Sequence, residues 1–147
     1  MKIRANGTEL EYEVSGPENG TPFLFINGFG TQMTSWPQAF WDELAKAGFR
    51  VIRFDNRDVG LSQKWDGIVP DIREAMKTAR AGGKPDVPYT LNEMAADAAG
   101  LLDALGVKSA HISGASMGDP NGHRADCAVR GKSGSEKESC GLKRKIT

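Results

Sequence analysis

The chain has 147 residues, 39% of them hydrophobic and 26% charged, which allows one domain with a sizeable core and little more. Its 19 basic and 19 acidic side chains cancel, so no nucleic-acid footprint is indicated. It has no run of about 18 apolar residues and no apolar stretch of a signal peptide, so a cytoplasmic protein without membrane contact is the expectation.

Lys2 to Ala5 and Thr8 to Ser15 flank Asn6-Gly7, a strong short-range hairpin signal. Leu10, Tyr12 and Val14 alternate with Glu9, Glu11 and Glu13, as in a strand with one wet face. An antiparallel edge hairpin is expected. Pro22 to Ile26 is apolar at every position, which suits a strand buried on both faces of a largely parallel sheet. It runs into the glycine-rich turn Asn27-Gly28-Phe29-Gly30.

Ser35 reads as an N-cap, with Pro37 in the first helical turn. Phe40, Trp41, Leu44 and Ala45 then recur at helical spacing, and Gly48 stops the helix. Phe49 to Phe54 is the next strand, followed by the polar loop Asp55 to Ser62. Strand, helix and strand on short connections make a βαβ unit. Residues 63 to 89 read as a surface excursion, with a short helix over Ile72 to Arg80 broken by Gly82-Gly83-Lys84-Pro85.

Thr90-Leu91-Asn92-Glu93 is a capping box. The helix it opens is expected to reach Leu105 and to bury Leu91, Met94, Ala95, Ala98, Leu101, Leu102 and Leu105. Val107 to Ser113 is a strand that feeds directly into Gly114-Ala115-Ser116-Met117-Gly118. In a G-x-S-x-G turn the backbone closes on itself, so the flanking positions must be small, and the serine hydroxyl projects from the tip. The whole order is an α/β pattern.

After Gly118 the character of the chain changes. All aromatic residues lie between Tyr12 and Tyr89. Residues 1–118 carry 12 Lys/Arg against 15 Asp/Glu, whereas 119–147 carry 7 against 4 and few large apolar residues. The expected division is therefore one folded unit over 1–118 and a divergent tail over 119–147 of disorder-like composition. Cys127 and Cys140 fit no metal-ligand spacing.

Three motifs, Asn27 to Gly30, Asp55 to Ser62 and Gly114 to Gly118, follow successive strands. In this order the sequence resembles the α/β-hydrolase family over residues 1 to 118, closest to bacterial esterase-like members of the aclacinomycin methylesterase type. Those members carry a comparable Asp-x-Arg-Asp-x-Gly-x-Ser loop. The resemblance implies an α/β-hydrolase fold, here truncated after the fifth strand and the nucleophile elbow. It implies Ser116 as nucleophile, the backbone amides of Phe29 and Met117 as oxyanion hole, and Gly114 and Gly118 as elbow glycines. Asp55 and Arg57 would belong to a structural loop beside the site. The implied reaction is hydrolysis of a carboxylic ester, lactone or similar acyl bond of a small-molecule substrate, with no cofactor and no metal. Many relatives have His where Asn27 stands. Since the oxyanion donors are main-chain, that difference should matter little to the chemistry.

Other polar residues have plainer readings. Asp58 is expected to be solvated or paired locally, and Asp97 and Asp103 to lie on the helix surface. His111, on the strand five residues before Ser116, reads as a core histidine rather than a base. His123 is the other histidine, a few residues past the elbow.

The family places its acid and then its histidine after the serine, on later strands. Here 31 residues follow Ser116, and none resembles those strands. Codons for Asp119 onward, read one base on, can spell Ile-Pro-Met-Val-Ile-Ala-Gln-Thr-Val, an apolar helix start, so a frameshift is one origin of the tail. A sheet ending at its fifth strand would leave an open edge and a marginal, aggregation-prone chain. Two functions stay open: a serine hydrolase impaired in this chain, or a non-catalytic remnant or interaction module that self-associates through the sheet edge.

Overall fold

The computed structural model describes residues 1–67 and 69–118. The expectations for the tail over 119–147, and with them His123, Cys127 and Cys140, lie outside the described residues.

At the first turn φ is +49° for Asn6 and +77° for Gly7, the paired left-handed geometry of a tight hairpin. It joins β1 (Lys2–Ala5) to β2 (Thr8–Ser15), antiparallel with Ile3 opposite Leu10. β2 pairs antiparallel with β4 (Phe49–Phe54), placing Glu13 opposite Arg53. β3 (Thr21–Ile26) lies between β4 and β5 (His111–Gly114), parallel to both. The order across the sheet is β1-β2-β4-β3-β5.

The unbroken apolar run of β3 serves two faces, as expected of a strand covered on both sides. Leu24 and Ile26 join Ile52, Phe54, Leu101 and Leu102 in one core. Phe25 packs with Val51 and Trp41 in the other, which α1 (Gln38–Lys46) covers. Arg53 shares that second face without being left unpaired: its Nη2 donates to Glu13 and Gln38, and its guanidinium stacks on Trp41.

Several local expectations are corrected. Ser35 does not cap α1; Met33–Ser35 forms a separate 3-10 turn, and Pro37 occupies the cap position before Gln38. A proline there loses nothing, because the first amides of a helix have no intrahelical acceptor. α2 (Ile72–Arg80) does form, capped by the Asp71 carboxylate accepting from the Glu74 amide. α3 (Leu91–Ala104) opens with the full Thr90/Glu93 capping box, yet Leu91 is exposed, not buried. The fifth strand begins at His111 rather than Val107. No helix among the described residues is long and apolar enough to cross a membrane.

Because β3, β4 and β5 are parallel, the three motif-bearing loops leave the sheet at one edge, outside the carboxyl ends of the strands. That is where open α/β sheets place their ligands.

Candidate active site

The serine turn is geometrically constrained at its glycines and at the serine itself. Ile26 pairs with Gly114, and the Ala115 amide donates to the Ile26 carbonyl at 3.2 Å, so β3 guides the chain up to the turn. The chain then reverses within one residue. Ser116 has φ +54°, a conformation L residues seldom adopt, and Gly118 closes the turn by donating to the Ala115 carbonyl at 3.0 Å. A Cβ on Gly114 would stand 1.8 Å from the Gly118 carbonyl oxygen. One on Gly118 would stand 2.1 Å from that of Ile26. Both glycines are there because no side chain fits. Ser116 itself is exposed, at the head of the turn Ser116–Gly118.

The Asn27-Gly30 turn lies against this elbow. At Gly28 a Cβ would meet the Ala115 oxygen at 3.1 Å and the Ser116 Cβ at 3.2 Å, with Oγ 3.8 Å away. Asn27 is fully buried and braces the turn from below. Its Nδ2 donates to the Phe54 carbonyl at 3.2 Å, and its Oδ1 accepts from the Trp36 indole at 2.9 Å. The side-chain Nδ2 of Asn56 donates to the Asn27 main-chain oxygen at 3.1 Å. Thus one side chain ties the ends of β3 and β4 to the segment entering α1.

The Asp55–Ser62 loop looks polar in sequence but is largely interior: Asp55, Asn56, Arg57 and Ser62 are all buried. Asp55 accepts from the Met33 amide through Oδ1 at 2.7 Å and from the Leu61 amide through Oδ2 at 3.2 Å. Gly60, with φ +51°, is required beside it, since a Cβ would lie 1.9 Å from Asp55 Oδ2. Arg57 pairs with Asp97, and its guanidinium carbon lies over the adjoining rings of Trp65 and Tyr89, 4.9 Å from each centroid. Asp58 is paired locally: Oδ1 accepts from the Trp65 amide at 2.7 Å and Oδ2 from the Tyr89 hydroxyl. Burial and that bond push the Tyr89 phenol up to about 12.

With these three loops in place, the comparisons agree. The sequence matches the α/β hydrolase fold family over residues 21–118. The chain belongs to that family. It is 36% identical over 120 residues to the rhodomycin D methylesterase DauP of Streptomyces sp. (strain C5), covering 82% of this chain and 35% of that protein. It is 31% identical over 119 residues to 3-oxoadipate enol-lactonase 1 of Acinetobacter baylyi, covering 80% and 36%. The crystal structure of the enol-lactonase from Burkholderia xenovorans LB400 superposes with a TM-score of 0.60 at 30% identity, over 80% of this chain and 38% of that one. The chain therefore spans about a third of the length of these relatives.

Within the hydrolase frame, the fold brings Ser116, Phe29, Met117 and the loop holding Asp55 and Arg57 to one edge of the sheet. It does not bring His111 there. His111 pairs with Phe23 at the opposite end of β5, about 10 Å in strand rise from Gly114, and is exposed against the edge of Phe49 rather than a core histidine. Asp97 is also corrected: it is buried, not on the surface. Its signal was present in the sequence, because 97 falls on the same helical stripe as Met94, Ala98 and Leu101. A cavity lined by α2 residues with Lys84, Asp86, Val87 and Pro88 shares no residue with the elbow.

Proposed function

We propose that the chain carries the nucleophile and oxyanion half of a hydrolase acting on a carboxylic ester or related acyl bond. The observation that carries this is the left-handed Ser116 between two glycines that admit no Cβ, with the Gly28 turn packed close to it. A serine held at the tip of such a turn is presented to a carbonyl carbon outside the sheet edge. The reading gives Ser116 Oγ the attack on the acyl carbon, its proton passing to the general base that the family places after the serine. The amides of Phe29 and Met117 then receive the developing negative charge on the carbonyl oxygen. A main-chain donor of this kind is worth about 3 kcal/mol in the transition state. The close packing of the Gly28 turn on Ser116 and the Asn27 brace beneath it support a role for the amide of the next residue. The chemistry asks for no cofactor from these residues. The methylesterase and lactonase relatives support an acyl bond in a small molecule as the substrate.

A second reading, a non-catalytic module that self-associates through β5, is favoured by one observation. Among the described residues, the one histidine sits at the far end of β5 from Ser116. Fluorophosphonate labelling of the whole chain, read by intact mass, separates the two. A single adduct that disappears in Ser116→Ala is expected for the hydrolase reading. No adduct, together with a sedimentation coefficient that rises with concentration, would establish the module instead.

A further inference from the structure

Between Trp65 and Tyr89 the chain makes an excursion that stands apart from the rest of the fold. Among the described residues, those of 69–88 hydrogen-bond only within the segment. The Asp71 carboxylate caps α2, and the Gly82 and Gly83 amides donate to the Ala79 and Thr78 carbonyls. The ion pair of Lys77 with Glu74 is internal as well. No residue of 69–88 belongs to either hydrophobic core, and α2 buries none of its nine residues. A helix that short is below the roughly 12–15 residues at which an isolated helix becomes even marginal in water. α2 therefore stands on its contact with the returning limb, where Ala75 and Thr78 line one cleft with Val87 and Pro88.

One side chain outside the segment holds the two limbs together. Asp58 Oδ1 accepts from the Trp65 amide at 2.7 Å, where the excursion leaves, and Oδ2 accepts from the Tyr89 hydroxyl, where it returns. The rings of Trp65 and Tyr89 meet edge-on, 5.6 Å between centroids, beside the Arg57 guanidinium. On either side of this neck the chain is fixed. The Gln63 amide donates to the Glu9 carbonyl at 2.8 Å, and Thr90 opens α3 through its capping box. Asp58 itself has φ +65°, a left-handed conformation that L residues seldom adopt and that its surroundings must maintain. We propose that 69–88 is a hinged arm, latched by the Asp58 carboxylate, that opens as one unit while the sheet and α3 stay folded. Release of the latch parts the limbs, removes the support on which α2 stands, and unfolds it. The latch works whether or not Ser116 is a nucleophile.

Hydrogen–deuterium exchange of the whole chain, read by mass spectrometry over a series of low urea concentrations, tests this. In the parent, the amides of α2 should exchange together with a shallow urea dependence, and those of α3 about a hundredfold more slowly or beyond. Asp58→Gly removes both acceptors yet suits a positive φ, and it is expected to speed exchange in α2 about tenfold. Tyr89→Phe frees the returning limb alone, and Asp58→Asn keeps a single acceptor. Each should give about a threefold acceleration. α3 and β3 should keep parental exchange in all three variants, which also shows that each variant remains folded. The latch is overturned if α2 is unprotected in the parent or exchanges with the urea dependence of α3. It is equally overturned if Asp58→Gly leaves α2 unchanged, or if α3 accelerates as much as α2.

Discussion

Arg57 and Asp97 meet fork to fork: Nε donates to Oδ2 and Nη2 to Oδ1, each at 2.7 Å, with 5% and 2% of the two side chains exposed. The pair is further tied to the hairpin, because Asn6 Nδ2 donates to Asp97 Oδ1 at 2.9 Å and Arg57 Nη2 donates to Thr8 Oγ1 at 3.3 Å. It therefore joins the loop after β4 to α3 and to β1–β2. Removing one partner strands a desolvated charge, which costs far more than the pair itself contributes. Asp97→Ala should lower stability by about 3–5 kcal/mol, and the double variant Asp97→Leu with Arg57→Met by clearly less. Denaturant midpoints of the three proteins check this; equal losses would mean that the pair is not acting as a buried charge couple.

The elbow glycines predict a sharp asymmetry among glycine substitutions. Gly114→Ala puts a methyl group within 1.8 Å of a carbonyl oxygen that belongs to backbone, so the turn must open. Gly106→Ala faces open space, and its cost is confined to the left-handed φ of +68°. Gly106→Ala should lose about 1 kcal/mol and Gly114→Ala several times more, measured by thermal or denaturant unfolding. If the two variants unfold alike, the close approach at the elbow is wrong.

What was legible in the sequence follows from how local each determinant is. The hairpin at Asn6-Gly7, the capping box at Thr90 and the strand Phe49–Phe54 depend on neighbours in the chain, and all appear with the bounds or motif read from it. The serine turn was legible for the same reason, since its glycine requirement is set within five residues. Burial was harder. Asp97 and the Asp55–Ser62 loop look like surface by residue type, and only partners distant in sequence, Arg57 for Asp97 and the Met33 amide for Asp55, satisfy them inside. His111 erred the other way, because the stretch before it stays out of the sheet and β5 is shorter than its apolar pattern.

The capping box gives a further measurable quantity. Thr90 Oγ1 accepts from the Asn92 amide, and the Glu93 carboxylate accepts from both the Thr90 amide and hydroxyl. These bonds, the hydroxyl's first, hold the Glu93 carboxyl below its ordinary value. A depressed carboxyl stabilises the fold above its unfolded pKa, and that share is lost as pH falls through the folded value. Thr90→Ala should cost about 1 kcal/mol at neutral pH. The gap between variant and parent should narrow in acid, as Glu93 becomes protonated in both. Unfolding curves at neutral and acidic pH decide it, and a gap that stays constant would remove Glu93 from the account.

At the alkaline end Tyr89 is a titrating group with a raised pKa. Its hydroxyl donates to Asp58 Oδ2 while its ring packs edge-on against Trp65, 5.6 Å between centroids, and covers Arg57. Burial first, then the bond to the Asp58 carboxylate and the charge behind it, push the phenol from 10.0 up to about 12, with Arg57 pulling the other way. The unfolded chain releases this proton near 10 and the folded chain near 12, so between those values the unfolded state holds fewer protons. Stability contributed by the protonated phenol is complete below pH 10 and declines as pH rises toward 12. Tyr89→Phe keeps the ring over Arg57 but removes the titrating group, so its stability should fall less steeply across that window than the parent's. Denaturant midpoints at half-unit steps, compared between the two proteins, provide the measurement. Parallel curves would show that the hydroxyl of Tyr89 is titrating in the folded chain as it does in the unfolded one, and that its contact with Asp58 does not hold the loop.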